Sequence, residues 1–396
     1  MSNMLTRWWD RRSLAAPSPS FLRLFSSAPT AAGVTVDVPS ALTVPAVFAC
    51  CQVLSQDIAR TPIRFKQQVA PDTFEDALDH PLSELLGSLP NPETTAYEFQ
   101  FALMWQLLCY GRAYAEIVRS DGRVAALWPL YSEHMTVDRT PAGVKRWTYA
   151  AGGQPYTWLF DPSMPPILEV RMETPILRCK EAIGAALALQ QYVAKFFAND
   201  ARPGGVLQAP GHLSEAIAIQ MRDQWKAIFA SSGTNRRGVA VISDGVEFKP
   251  ISAENDSAQL NETQRALNEM ICGTFRVPTS KIGDLSKANY SNMEVSEQVY
   301  VNATLDPYYR SFELAFKRDL LTARQFTHYT ATFDRSALTR NDTKALHDAL
   351  CQGIQNGIYS QNDARRKLGE NPIAGGDVYM VNSALAPFGA KEPHVA

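Results

Sequence analysis

Surplus charge of either sign is almost absent from this chain: 38 Lys and Arg stand against 40 Asp and Glu, a formal net charge of −2. A protein that holds nucleic acid by bulk positive potential is therefore excluded, although one that touches it at a few places is not. Long hydrophobic runs are missing too. No stretch approaches the roughly 18 apolar residues of a membrane span, and mean hydropathy is −0.19, so no membrane partner is expected. The six cysteines (50, 51, 109, 179, 272 and 351) form no C-x-x-C pair, and the six histidines form no H-E-x-x-H or H-x-x-x-H. Zinc spacing is absent, and neither a metal nor another cofactor is expected. Most of the cysteines fall in apolar, helix-like segments, which suits reduced core thiols of an intracellular protein. There is also no G-x-x-x-x-G-K-[ST], G-x-G-x-x-G or G-x-S-x-G signature. Many enzymes carry none of these, so an enzyme of unrecognised type is kept as the alternative reading.

What is present is enough for more than one core. Hydrophobic residues make up 45% of the 396 positions, a normal globular share, and the length exceeds what one core usually organises. Charged residues, at 20%, fall a little below the usual quarter, which points to extra buried or interface surface. Residues 1–33 carry Arg7, Arg11, Arg12 and Arg23 against one acid, Asp10. Such a start is either a transit peptide or a flexible arm, and Pro17, Pro19 and Pro29 favour the arm by interrupting any long helix.

Residues 40–175 read as an α+β unit with an antiparallel sheet. A buried helix at 43–59 is followed by a strand at Ile63–Gln68, a short helix from Pro81, and a helix opened by the Thr95/Glu98 capping box. Beyond Gly111 the period becomes strand-like. Ser120-Asp121-Gly122-Arg123 is a hairpin signal between Tyr114–Arg119 and Val124–Leu130, and short strands are expected at 134–139, 144–150, 155–160 and 167–172. Residues 180–199 form a helix rich in small residues at 182, 184, 185, 186 and 188, which permits close approach of neighbouring backbones.

A strand–helix–hairpin module of about 50 residues then leads to a second long helix at 254–275. That helix carries Glu254, Asp256, Glu262 and Glu269 against one base, Arg265. A loop containing Lys281, Lys287, Asn289 and Tyr290 follows Pro278. Ser291/Glu294 cap a helix to Leu305, and Asp306-Pro307 is expected to start a new one. A strand at Phe326–Asp334 and a helical pair at 341–355 and 361–368 finish the fold.

The segments HPLSELLGSLPNPETTAYEFQ, YGRAYAEIVRSDGRVAALWPL, FFANDARPGGVL, GVEFKPIS, FRVPTSKIGDLSKANYSNMEVSEQ and QNGIYSQNDARRKLGENPIAGGD occur in that order. Together they resemble the portal proteins of tailed bacteriophages of the HK97-like type. One departure is RMETPILRCKEAI, which stands where members often carry a Gly/Ser-Pro lead, so the start of the first long helix is open. The resemblance implies an α+β portal fold: arm 1–39, wing 40–178 and 291–335, stem helices 179–200 and 253–276, clip 201–252, tunnel loop 277–290, crown 336–380 and tail 381–396. It implies a non-enzymatic homo-oligomeric ring, usually of twelve subunits, at one vertex of the virion capsid and assembled in the host cytoplasm. The implied partners are the major capsid protein, the terminase large subunit that drives packaging, a head–tail adaptor, and double-stranded DNA passing without sequence preference.

In that picture Glu254, Asp256, Glu262 and Glu269 give the channel acidic walls over which DNA slides. Lys281 and Lys287 make transient phosphate contacts, with Asn289 and Tyr290 shaping the loop tip; plain solvated charges are the competing reading. Arg236 and Arg237 in the clip turn face a docking partner, or are an ordinary surface pair.

Overall fold

The computed structural model describes residues 29–71, 73–198, 205–208, 215–216, 219–220, 223, 247–250, 257–284, 296–335 and 343–380. Helices α1 (Val38–Leu42) and α2 (Pro45–Ala59) come first, followed by strands β1 (Ile63–Ala70) and β2 (Thr73–Asp76) and helices α3 (Pro81–Gly87) and α4 (Ala96–Tyr110). Six strands follow: β3 (Arg112–Ser120), β4 (Arg123–Leu130), β5 (Met135–Arg139), β6 (Lys145–Tyr149), β7 (Tyr156–Leu159) and β8 (Ile167–Arg171). Helices α5 (Pro175–Arg178) and α6 (Lys180–Ala198) lead to β9 (Gly205–Gln208), and β10 (Glu247–Pro250) leads to α7 (Ser257–Phe275). Last come α8 (Asp306–Leu320), β11 (Tyr329–Phe333), α9 (Thr343–Gln355) and α10 (Gln361–Leu368).

The chain divides into two compact units, one comprising residues 51–173 and 286 onward, the other 17–50 with 174–285. The expected capping signals are in place. Thr95 and Glu98 exchange hydrogen bonds at the start of α4, Gly111 ends it at φ 71, and Ser360 with Asp363 caps α10. The β3–β4 hairpin turns on Asp121 and Gly122, with φ of 50 and 75. Five of the six cysteines are buried free thiols; Cys351 is exposed, unlike the core thiol expected there.

The single antiparallel sheet expected of residues 40–175 is instead divided. Strands β2-β1-β11, β4-β3-β8 and β5-β6-β7 form three three-stranded antiparallel sheets. Strand period cannot name a partner: β1 pairs with β11, Ile63 opposite Phe333, across most of the chain. The expected break at Asp306-Pro307 is also absent. Residues Tyr300–Leu305 form a π turn that runs on into α8, with the Asp306 N–H bonded to the Val301 carbonyl five residues back. Widening the helix there accommodates a proline that lacks an N–H and crowds the preceding turn.

Two kinds of contact hold the first unit. On one side α8 covers the first sheet through aromatics, with Tyr309 4.7 Å and Phe312 6.2 Å from Phe333 between ring centroids. The buried hydroxyl of Tyr309 lies 2.8 Å from Thr61 Oγ1, and Tyr300 donates to Asp57 Oδ2 at 2.8 Å. On the other side two carboxylates are buried, Glu169 at 2% and Asp319 at 3% exposure. Glu169 on β8 accepts from Arg171 at 2.6 and 2.9 Å, from Trp147 Nε1 at 3.3 Å, and from Lys145 on β6. Its backbone N–H donates to Asp319 Oδ2 at 3.0 Å, and Arg318 Nη2 donates to its carbonyl at 2.6 Å.

Burial pushes the Glu169 carboxyl up, but hydrogen bonds and charge from Arg171 and Lys145 outweigh it and bring the pKa to about 2. Burial pulls the Lys145 ammonium down to about 8, helped by Arg171 and Arg318 and opposed by Glu169. The two shifts are compatible because one carboxylate faces several cations. Glu169→Gln leaves these cations uncompensated and is expected to cost about 3–5 kcal/mol, whereas Lys145→Met, which keeps a stem over Trp147, should stay within about 1 kcal/mol. Urea denaturation at neutral pH measures both, and a loss below about 1 kcal/mol for Glu169→Gln refutes the assignment. The Glu169 contribution is fully present above pH 4.5 and lost as pH falls toward about 2. With its folded pKa below 10.5, Lys145 adds stability as pH rises from about 8 to 10.5. In both windows the unfolded chain binds more protons, so stability rises with pH.

Candidate functional site

The second unit contains the paired long helices that the sequence singles out. Pro175 starts the one-turn helix α5, Cys179 closes it, and α6 begins at Lys180, which settles where the unusual lead ends. The chain runs out along α6, pairs β9 with β10 in antiparallel register (Gly205 opposite Pro250), and returns along α7. Buried Ile183, Ala186 and Leu187 of α6 and Ile271, Cys272 and Phe275 of α7 supply the apolar contact near the base of the pair. Farther out, Gln191, Tyr192, Ala194 and Lys195 of α6 and residues 261–266 of α7 are exposed.

The small-residue stripe has a use within the chain itself. A Cβ on Gly184 would stand 2.4 Å from Thr30 Oγ1 and 2.6 Å from Thr30 Cγ2. Thr30 is fixed by its hydrogen bond to the Val34 carbonyl at 2.8 Å, and the Ala31 N–H donates to Glu181 Oε2 at 3.0 Å. Residues 29–39, expected to continue the N-terminal arm, thus carry buried Thr30 and Val36 and the capped helix α1. The earlier part of that arm, residues 1–28, lies outside the described residues.

Helix α7 ends in a Schellman arrangement. The Val277 N–H bonds to the Cys272 carbonyl at 3.0 Å and the Arg276 N–H to Gly273 at 3.2 Å, with Arg276 at φ 55 where glycine is usual. Pro278 and a 3₁₀ turn at Thr279–Ile282 follow, and Gly283 closes that turn at φ 94. The loop folds back along the helix, because Asp284 Oδ2 comes within 3.8 Å of Arg265 Nε. Cys272 is anchored from below by Cys50, their sulfurs 3.7 Å apart. That hydrogen bond, together with burial, pushes the Cys50 thiol up.

Of the residues marked in the sequence, Glu262 is exposed on α7, Glu269 is half-buried there, and Lys281 sits half-buried in the 3₁₀ turn. The structure brings the loop base and the α7 face together. Glu254, Asp256, Lys287, Asn289, Tyr290, Arg236, Arg237 and the Ser291/Glu294 cap lie outside the described residues. Sequence reasoning counted Arg265 only as a charge offset and missed its approach to Asp284. No local signal marks a pair separated by a helix end and a turn. Among the described residues no group of three or more His, Cys, Asp and Glu could hold a metal, and no helix is long and apolar enough to cross a membrane.

Gly184→Ala must displace a β-branched neighbour whose hydroxyl is engaged, and is expected to cost about 1–3 kcal/mol. Adding Thr30→Ala should recover most of that loss in a double-mutant cycle followed by thermal unfolding. Strict additivity of the two substitutions would remove the contact from the account.

A model of the family described as phage portal protein matches residues 45–369. The probable portal protein of Streptomyces phage phiC31 is 28% identical over 411 residues, covering 97% of this chain and 87% of that one. Two solved structures share the fold. An HK97 family phage portal protein from Corynebacterium diphtheriae has a TM-score of 0.56 at 19% identity, covering 76% of this chain and 96% of its own. The neck of a native gene transfer agent particle, computed with C12 symmetry, gives 0.55 at 19% identity, covering 89% and 98%. The mixed helices and antiparallel sheets, the out-and-back helix pair and the family match lead to one conclusion: the chain belongs to the phage portal protein family.

Proposed function

We propose that this chain assembles into a ring at one capsid vertex, through which a separate terminase motor drives double-stranded DNA and from which DNA later leaves. Family membership supports the reading, and one observation in the structure carries it. Among the described residues the outer parts of α6 and α7 are exposed, and the β9–β10 pair beyond them is two-stranded, an arrangement that is marginal alone in water. Neighbouring copies side by side supply the missing cover. The gene transfer agent neck, with its C12 symmetry, makes twelve the expected number.

In this assembly α6 and α7 are the stem, residues 201–252 the clip, and 277–290 the tunnel loop. Residues 40–178 with 291–335 form the wing, and 336–380 the crown. Exposed Glu262 on α7, with Glu254, Asp256 and Glu269, repels phosphates and lets DNA slide. Lys281 and Lys287 touch phosphates transiently, and Asn289 and Tyr290 shape the tip. Clip residues Arg236 and Arg237 and the outer wing meet the head–tail adaptor, the terminase large subunit and the major capsid protein. The ring performs no catalysis, forms in the host cytoplasm and ends in the virion.

Negative-stain microscopy and native mass measurement test the assembly. Twelve chains of 43.8 kDa should give a ring of about half a megadalton with a central hole. A monomer with catalytic turnover would end the portal reading. Lys281→Ala combined with Lys287→Ala should still form rings while changing DNA translocation or retention. Packaging and retention identical to the parent would remove both lysines from the channel.

A further inference from the structure

We propose that a cavity of about 750 Å³ in the first unit is the docking site for an acidic segment of a partner protein. Its wall is assembled from four separate stretches: the start of α3, the β3–β4 hairpin, the turn after α8, and the facing ends of β1, β2 and β11. Arg119 and Arg123 come from the hairpin and Arg324 from the turn after α8. Local sequence gives no hint of this convergence, because Arg324 lies 201 residues beyond Arg123 in the chain.

Charge decides the class of occupant. Asp76 and Asp79 also line the cavity, but Asp76 is already held by Arg64 at 3.1 Å. Among the described residues no carboxylate pairs with the guanidinium of Arg123 or Arg324. Arg119 donates through Nη2 to the Asp319 carbonyl at 3.0 Å, while its Nε is buried without a partner. A buried donor left unpaired carries its full desolvation cost, which an entering acceptor removes. The potential is felt by His80 on the same wall. Burial, with the charge of Arg123 added, lowers its pKa.

A carboxylate-bearing peptide fits better than a nucleic acid. The site is a concavity, and the carboxylates of Asp76 and Asp79 in its wall oppose a continuous polyanion. Leu78, 79% exposed, with Val124 and Tyr329, offers apolar surface beside the arginines. A segment mixing acidic and aliphatic side chains uses both, with the guanidinium groups providing charge-assisted hydrogen bonds.

The test uses the purified full chain and a dye-labelled peptide alternating Glu and Leu, its Gln-for-Glu counterpart, and duplex DNA as competitor, read by fluorescence anisotropy. The Glu peptide should bind about tenfold tighter than the Gln peptide. Arg123→Gln, an exposed substitution, should weaken it about tenfold without lowering the melting temperature, and Arg119→Lys, which keeps charge but removes Nε, should weaken it by a similar factor. Equal binding of the two peptides, or binding untouched by Arg123→Gln, would overturn the proposal. Displacement of the peptide by duplex DNA at matched charge would do so as well, by assigning the cavity to phosphates.

Discussion

The buried carboxylate of Glu169 is the constraint on which the first unit depends. It gathers Lys145 and Trp147 of β6 and Arg171 of its own strand, while the backbone N–H and carbonyl of the same residue hold the Arg318–Asp319 end of α8, about 150 residues on. The sheet β5-β6-β7 is supported by apolar contact as well. Its core cluster is Met135 and Trp147 packed with Tyr114, Leu130 and Ile167 of the neighbouring sheet. Ionic contacts of this kind add little net stability over apolar substitutes, but breaking one leaves a buried charge bare. A slip of β6 by one residue would turn Lys145 and Trp147 to the wrong face and strand Glu169, so the network selects register.

Where the sequence was legible, the cause was local. Asp121-Gly122 marks the hairpin because both positions need positive φ, and Thr95/Glu98 and Ser360/Asp363 mark helix starts because orphan N–H groups need acceptors. What it hid was non-local or context-dependent. The partner of β1 is β11, a choice made by long-range packing, and β2 escaped notice because all four of its residues are exposed. Asp306-Pro307 reads as a helix start in isolation, yet the π turn before it absorbs the proline. For the candidate site, six family-like segments gave the regions, while the partners of Gly184 and Arg265, Thr30 and Asp284, lie across loops that no periodicity reaches.

If α6 and α7 form the proposed stem, assembly and stability become parts of one problem. Within one chain the helix pair is anchored at its base by Ile183, Leu187, Ile271 and Phe275, and by the Cys50–Cys272 contact. Among the described residues its outer turns are exposed, and β9 pairs with β10 beyond them. Helices in water owe most of their stability to a buried face. In the proposed ring the outer turns obtain that face from neighbours, so the ordering of the stem and closure of the ring reinforce each other.

The near-zero net charge is a sum over surfaces with different tasks. Helix α7 carries Glu262 and Glu269 against Arg265, a slight acidic excess that in the proposed ring suits a wall past which a polyanion moves without sticking. The cavity of the first unit gathers Arg119, Arg123 and Arg324, the last two without a paired carboxylate among the described residues, which suits capture of the proposed acidic segment. A polyanion sliding past and a carboxylate held in place require opposite potentials, and both fit in a chain of charge −2 only if they are kept on different elements. In the proposed ring the overall balance restricts how strongly the protein grips DNA as a whole, while the local patches decide what each surface admits.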